Sequence, residues 1–448
     1  MKKTIIIFIS ILAIVFAERG DLLSYDFVDS ANINDIGNYL NGEFGDFDLS
    51  IEYSAVMYSI TYETIDQFGD YTIASGMVAF PDVNSQAYPI VSFQHGTQIR
   101  RESAPSMNGF NALSQAMVTA GYIYMEPDYL GLGVSEMLHP YHLKDVTASA
   151  VIDMLRAIRQ FFDQTNLGQY NSQLFLAGYS EGGYATMATV KEIEENLSDE
   201  FDITMSFPMA GAYDLSGTMV DLMLREEPYP DPFYLPFFVL SYIDMYSLGE
   251  ISDFFKPEYA EIFPDLFSGE YSGSYIDSFL PDIPINMMIE SVVEEFSNDE
   301  NYPFRVHLGE NDLYDWNPQT TMYLFHGIVD ESVPHENSII TYDKFIENGS
   351  QSVYLEILPE SYGGHQEAAP FCLLGAYNIM STIHMINDLG DINEDMIIDI
   401  LDIIELSLII VDNYSTFTSY QYWASDINLD SNINVLDIVE IVNIILNI

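Results

Sequence analysis

Basic residues and cysteine are what this chain lacks: 13 Lys and Arg stand against 69 Asp and Glu in 448 residues, and Cys372 is the only cysteine. A lone cysteine excludes an intrachain disulfide, so stability has to come from core packing or from bound metal. A formal charge of −56 makes nucleic acid and anionic membrane poor partners and suits saline or divalent-rich surroundings, with calcium the natural counter-ion. Phe345 to Ile448 contains no Lys or Arg at all. The N-terminal apolar run from Ile5 to Phe16, preceded by Lys2 and Lys3, is short for a spanning helix. It reads as a secretory signal over residues 1–17 with cleavage after Ala17. The expectation is a secreted chain starting near Glu18, with no integral membrane segment after cleavage and no cysteine for lipid attachment.

What is present is globular. Hydrophobic residues make up 48% and aromatics 14%, enough for one large α/β domain plus a small module. After a polar lead-in that carries no clear element, strand signals run through Ile51–Thr64 and Tyr71–Phe80, an antiparallel hairpin expected at the edge of the sheet. Buried-type strands then alternate with helical periods: Pro89–Phe93, a helix over Asn111–Ala120, Tyr122–Met125, a helix over Thr147–Phe162, Leu174–Ala177, a helix over Glu181–Leu197, and Ile203–Ala210. Thr321–Gly327 and Val353–Leu358 follow as the last strands, and Ala368–Ile386 as a closing helix. That alternation predicts a mostly parallel sheet covered by helices on both faces, spanning residues 18–388. Asp214–Gln319 breaks the alternation with Pro, Phe and Tyr, which predicts an inserted cap over the sheet's C-terminal edge; most of its aromatics form the cap's own core and some line a pocket.

The stretch Leu174-Phe175-Leu176-Ala177-Gly178-Tyr179-Ser180-Glu181-Gly182-Gly183 passes from a strand through Gly-x-Ser-x-Gly into a helix. A sharp turn there lifts the serine hydroxyl clear of the sheet, and the glycines remove side chains that would collide inside it. A nucleophilic Ser180 needs a base and an orienting acid, in the order Ser, Asp or Glu, His. Asp330, just past the strand ending His326-Gly327, and His365, in the glycine-flexible Tyr362–Gln366 segment after the final strand, fill those places. Glu331 and Asp312 are rival acids and His335 a rival base. Negative charge developing on an attacked carbonyl needs donors, for which the backbone N–H groups of Glu181 and Thr97 are the candidates. His95 reads at least as readily as a loop-packing histidine.

Strand-His95-Gly96-Thr97, the Pro127–Gly133 turn, Gly178–Gly183 with Tyr184-Ala185-Thr186, and Pro208–Asp214 together resemble the α/β-hydrolase superfamily, in its secretory lipase and esterase-like branch. The resemblance covers about Ser50 to Asp388. It implies an α/β-hydrolase fold and hydrolysis of a carboxylic ester or lipid through an acyl-enzyme, with Ser180 attacking, His365 as base and then acid, and Asp330 holding the imidazole. No cofactor is needed for that chemistry. A serine peptidase of the same fold, and a non-catalytic binding protein using the C-terminal module, are the alternatives.

Residues 390–448 carry a repeat: Asp391-Ile392-Asn393-Glu394-Asp395 to Asp402 recurs as Asp426-Ile427-Asn428-Leu429-Asp430 to Asp437. Oxygen side chains fall at loop positions 1, 3, 5, 9 and 12, a spacing that wraps one hard cation, and each loop leads into an apolar helix. The pair resembles a dockerin, an all-α calcium module that docks onto cohesin domains. It implies two Ca2+ sites, the first on Asp391, Asn393, Asp395, the Ile397 carbonyl and Asp402, with Asp399 through water. The second uses Asp426, Asn428, Asp430, the Asn432 carbonyl and Asp437, with Asn434 through water. Position six, glycine in such loops, is Met396 and Ser431. Positions ten and eleven are Ile400-Leu401 and Val435-Leu436 where small hydroxyl residues are usual. Both a cohesin-like or cell-surface scaffold partner and a cap packed on the hydrolase therefore remain open.

Overall fold

A computed structural model describes residues 18–44, 51–411 and 417–446. The expected signal over 1–17 lies outside the described residues. Ten strands form one sheet: β1 (Leu22–Ala31), β2 (Ala55–Ile65), β3 (Tyr71–Pro81), β4 (Gln86–Gln94), β5 (Ile123–Pro127), β6 (Tyr170–Tyr179), β7 (Met205–Met209), β8 (Met322–Gly327), β9 (Val353–Leu358) and β10 (Asn387–Asp388). Their order is β1-β2-β3-β5-β4-β6-β7-β8-β9, with β10 on the N-terminal end of β4. From β5 through β9 every neighbour pair is parallel, and β1, β2 and β3 add an antiparallel flank.

Central strands are buried on both faces, and the two-residue strand period sorts their side chains between two cores. Ile90, Leu174 and Leu176 face one core with Ile152, Leu155 and Ile158 of the helix Lys144–Thr165. Val91, Phe93, Phe175 and Ala177 face the other with Met117 of the helix Ala112–Thr119 and Cys372 of the helix His365–Met380. Asn111 starts the Ala112–Thr119 helix with a reciprocal capping box to Ser114. Asn166 ends the Lys144–Thr165 helix in the left-handed region at φ 51°.

Between β7 and β8 the chain forms only short helices, of which Tyr234–Tyr246 is the longest. Its Phe237, Phe238, Val239 and Tyr242 are buried in the same core as the Lys144–Thr165 helix, so the insertion sits on the sheet as an extension of one core. Two differences from the sequence expectation stand out. The lead-in forms β1 and a helix, Ile33–Phe44, and β1 rather than the β2–β3 pair is the sheet's edge. His365 opens a helix instead of lying in a loop.

Helices Ile400–Val411, Ser419–Ser425 and Val435–Leu446 make a third core from Ile392, Leu406, Ile409, Tyr420, Ala424 and Ile441, closed against Ala87 of β4. Asn387 and Asp388 pair with Ala87 and Gln86, the Ser172 N–H donates to Glu394 (2.9 Å), and Trp423 Nε1 donates to the Asn84 carbonyl (3.3 Å). The module thus packs on the N-terminal ends of β4 and β6. No helix among the described residues is long and apolar enough to cross a membrane.

Candidate functional site

Ser180 stands between β6 and the helix Glu181–Asn196 at φ 63°, ψ −124°, a conformation that costs a non-glycine residue about 1–3 kcal/mol. The turn is enforced by close backbone approaches. A Cβ on Gly182 would lie 1.8 Å from the Gln94 carbonyl oxygen, and one on Gly178 would lie 2.2 Å from the Gly182 carbonyl oxygen. Ser180 N–H donates to the Met209 carbonyl at 2.9 Å, tying the turn to β7.

The three residues that the sequence placed at one sheet edge meet there. Ser180 Oγ donates to His365 Nε2 at 2.8 Å, and His365 Nδ1–H donates to Asp330 Oδ2 at 2.6 Å. Asp330 Oδ1 accepts the Ser332 and Val333 amides at 3.0 and 2.7 Å. Burial opposes ionisation of Asp330, but hydrogen bonds and charge from His326 and His365 outweigh it and hold the carboxyl well below its usual range. Tyr179 Oη–H donates to the His365 carbonyl (2.6 Å), and the His365 N–H donates to Glu331 Oε2 (3.1 Å). Glu331 therefore supports the histidine backbone. The other rivals are elsewhere: Asp312 accepts from Ser216, its carboxyl pushed up to about 6 by burial, and His335 sits 3.5 Å from Glu336.

Thr97 is half-buried, its hydroxyl 3.0 Å from Tyr141 Oη. Neither its N–H nor that of Glu181 donates to a backbone carbonyl in the turns and loops described. His95 packs its ring 4.3 Å from Tyr129, with Nδ1 on the Gly96 carbonyl and Nε2 on the Asp128 carbonyl. Ring packing and these backbone contacts place His95 as a loop-packing residue. Ser180 and Glu181 border a cavity of about 290 Å³ walled by Tyr141, Met219, Tyr229, Leu235 and Phe238, with Arg225, Glu227 and Glu331 also in its lining. An aromatic-rich insertion thus contributes the walls.

Two features had no sequence signal. His326 Nε2–H donates to the Val333 carbonyl (2.8 Å) while facing Asp330 Oδ2 at 3.3 Å, and its Nδ1 accepts from Ser338 (2.7 Å), so it braces the acid from behind. The Glu181 side chain is buried and meets His139: Nε2 lies 2.6 Å from Glu181 Oε1, while Nδ1–H donates to the Leu130 carbonyl at 2.6 Å. A carbonyl can only accept, so the imidazole carries a proton on Nδ1 and a second faces the carboxylate. Burial disfavours both charges. The pair still holds His139 above and Glu181 below their usual ranges, because each stabilises the other's ionised form. Glu181 Oε2 has no partner.

In the C-terminal loops, Asp391 accepts the Asp395 and Met396 amides, and Asp402 accepts those of Ile392, Asn393 and Asp399. Asp426 and Asp437 repeat this with Asp430, Ser431, Asn428 and Asn434. Asn393, Asn428 and Asp399 likewise accept loop amides, as do Asp395 and Asp430 from Ile397 and Asn432. Met396 and Ser431 take the left-handed conformation, φ 66° and 63°, that position six demands. Among the described residues no three His, Cys, Asp or Glu side chains converge as a metal-binding group; each set here depends on an asparagine and a carbonyl as well. The chemistry of the donors nevertheless fits a hard cation. Asp391, Asp402 and Asp437 are buried in a segment with no Lys or Arg, and burial together with the Asp391 charge raises the Asp402 carboxyl despite its amide donors.

A serine, a histidine and an aspartate at the C-terminal edge of a mostly parallel sheet, under a helical insertion, define the α/β-hydrolase fold, and the chain is a hydrolase of the esterase and lipase type. A family model for secretory lipases matches residues 109–212, which include the Ser180 turn. The rice cell wall degrading esterase LipA from Xanthomonas oryzae is similar at 27% identity and TM-score 0.72, over 82% of this chain and 97% of that one. A Legionella pneumophila protein assigned as a hydrolase matches at 28% identity and TM-score 0.73, over 81% of this chain and 97% of that one. Candida antarctica lipase A shares the fold at 16% identity and TM-score 0.59, over 80% of each chain. A comparison with curated proteins finds no match.

Proposed function

We propose that this is a secreted serine carboxylesterase working through an acyl-enzyme on Ser180. The continuous Ser180–His365–Asp330 hydrogen-bond chain at a cavity wall, 2.8 and 2.6 Å, carries the reading. His365 Nε2 takes the Ser180 proton as Oγ attacks the ester carbonyl, and Asp330 stabilises the imidazolium and fixes its tautomer. The Glu181 and Thr97 amides receive the oxyanion. Collapse expels the alcohol, protonated by His365; water then repeats the sequence and frees the acid. Similarity to an esterase and to secretory lipases supports an ester substrate and an extracellular site of action. Ser180→Ala is expected to abolish hydrolysis of p-nitrophenyl esters and labelling by a fluorophosphonate. Equal turnover by folded mutant and wild type refutes the assignment, and a preference for aminoacyl amides turns it toward a peptidase.

For the C-terminal module we infer two Ca2+ sites with the ligands given above, which neutralise buried carboxylates that no Lys or Arg of the segment can reach. An unpartnered apolar face supports docking to a scaffold-type partner. Ile400 and Leu401 are 66% and 49% exposed, and their repeat equivalents Val435 and Leu436 are 62% and 59% exposed. Calcium is expected to raise the melting temperature, and the Asp391→Ala, Asp426→Ala double variant to lose the response; a wild type indifferent to calcium refutes the sites.

A further inference from the structure

Cations are rare here, and almost all are occupied. Every described Lys and Arg side chain but one makes an ion pair, a hydrogen bond or a ring contact: Arg19 and Arg156 with Asp153, Arg101 with the Ser135 and Ser268 carbonyls, and so on around the surface. The exception among the described residues is Arg225. It is exposed, its backbone N–H donates to Leu222, its guanidinium has no partner, and it borders the cavity that contains Ser180.

The backbone beside it is anchored. Arg225 ends the turn after the helix Val220–Met223, and the following Pro228-Tyr229-Pro230 is pinned at Tyr229. Tyr229 N–H donates to the Asp282 carbonyl at 2.9 Å, and its hydroxyl donates to the Ser332 carbonyl at 2.8 Å. Ser332 in turn donates its N–H to Asp330. The rim bearing Arg225 is therefore anchored both to the insertion and to the loop that carries the triad acid. Glu227 and Glu331 are the other charged side chains of the lining apart from Glu181, and Glu181 is paired with His139. An anionic group entering this cavity meets the carboxylates of Glu227 and Glu331, and among the charged lining side chains only Arg225 attracts it. A guanidinium offers a planar fork matched to a carboxylate.

Resting on the serine-esterase reading, we propose that the substrate is an ester bearing a carboxylate remote from the scissile bond, and that Arg225 is its specificity determinant. The apolar walls of Met219, Leu235 and Phe238 hold the connecting segment. The scissile carbonyl sits at Ser180, and the carboxylate reaches the rim.

The test compares p-nitrophenyl half-esters of straight-chain dicarboxylic acids with their neutral ω-methylamide counterparts on the full-length protein. Wild type is expected to favour the acid at one chain length, and that length reports the distance from Ser180 to Arg225. In Arg225→Gln the ratio of kcat/KM values, acid over amide, is expected to fall about tenfold, mostly through KM. Arg225→Lys restores part of it and Arg225→Glu inverts it. A ratio unchanged by R225Q overturns the proposal, since it means that Arg225 is only a rim charge answering Glu227. The two readings fail differently. Wild type that labels with fluorophosphonate and cleaves the amide series without preferring any acid removes only the Arg225 proposal; wild type that neither labels nor cleaves either series removes both.

Discussion

Breaking the His139–Glu181 pair from the histidine side offers a sharp test of the electrostatics beneath Ser180. Both side chains are almost wholly buried, 4% and 2% exposed. In His139→Leu the carboxylate loses its one partner, because Oε2 already has none. An unpaired buried glutamate shifts to a pKa of about 8–9, some 4 units above its free value. Each unit is worth about 1.4 kcal/mol, but near pH 7 the group escapes by protonating, which caps the electrostatic cost at about 3–4 kcal/mol. The sign follows from linkage. In wild type, Glu181 is depressed, so its contribution is present above the unfolded value and is lost as pH falls through the folded one. His139 is raised, so its contribution is full below its unfolded value and is lost as pH rises through the folded one. In the variant Glu181 is raised instead, so the deficit is smallest on the acid side, grows by about 1.4 kcal/mol per pH unit from about pH 4.5 to about pH 6.5, and then levels off, because above the free histidine value wild type loses the His139 contribution at the same rate. Replacing both residues, His139→Leu with Glu181→Met, removes the stranded charge and is expected to restore stability to within about 1 kcal/mol of wild type. Urea melts of wild type, single and double variants at pH 5 and pH 8, at one fixed calcium concentration, measure all of this. A single variant that loses less than about 1 kcal/mol at pH 8, or a deficit flat in pH, shows that the pair is not ionised and refutes the reasoning.

Three further outcomes follow from the site. Asp330→Asn is expected to lower kcat by roughly 10⁴-fold with the fold intact, because the amide oxygen still accepts from Ser332 and Val333 while the imidazole loses its carboxylate; a loss under about tenfold in ester assays contradicts the acid role. Ser180→Gly is expected to be about 1 kcal/mol more stable than Ser180→Ala, since glycine tolerates φ 63° and alanine does not. Equal denaturation midpoints argue against strain at Ser180. Gly182→Ala drives a methyl group into the Gln94 carbonyl and is expected to cost more than about 3 kcal/mol; unchanged thermal unfolding rules out that close approach.

Ser180 was legible because its geometry is local: the end of an apolar strand, the motif's two glycines and the first residues of a helix fall within ten consecutive residues, and chain order then pointed to Asp330 and His365. The doubly buried strands were legible because burial on both faces leaves apolar runs, as in Leu174–Ala177. β1 was not. Its Leu23, Tyr25 and Phe27 alternate, yet they are exposed and interleaved with the polar Ser24 and Asp26, and the strand forms because β2, about thirty residues on, supplies its hydrogen-bond partner. The helix Ile33–Phe44 buries Ile36 and Leu40, a period too brief to register against its asparagines and glycines. His139 and Glu181 meet across 42 residues through a loop that wraps over the first turn of a helix. No local spacing encodes that contact, so Glu181 read only as a backbone donor.

β4 and β6 connect the two ends of the molecule. Their C-terminal ends lead into His95–Thr97 and Ser180, and their N-terminal ends, at Gln86–Ala87 and Asn171–Ser172, hold the C-terminal module through β10, Glu394 and the third core. β6 has 10 residues, which at about 3.3 Å per residue separates the two by roughly 30 Å. At that distance a charge on the module is screened by several Debye lengths at physiological ionic strength, and the intervening sheet has a packed core on each face. On the calcium-module reading, calcium and a docked partner would therefore act on the stability and location of the chain, while the proposed ester selectivity rests on the opposite edge, where the insertion supplies cavity walls and Arg225.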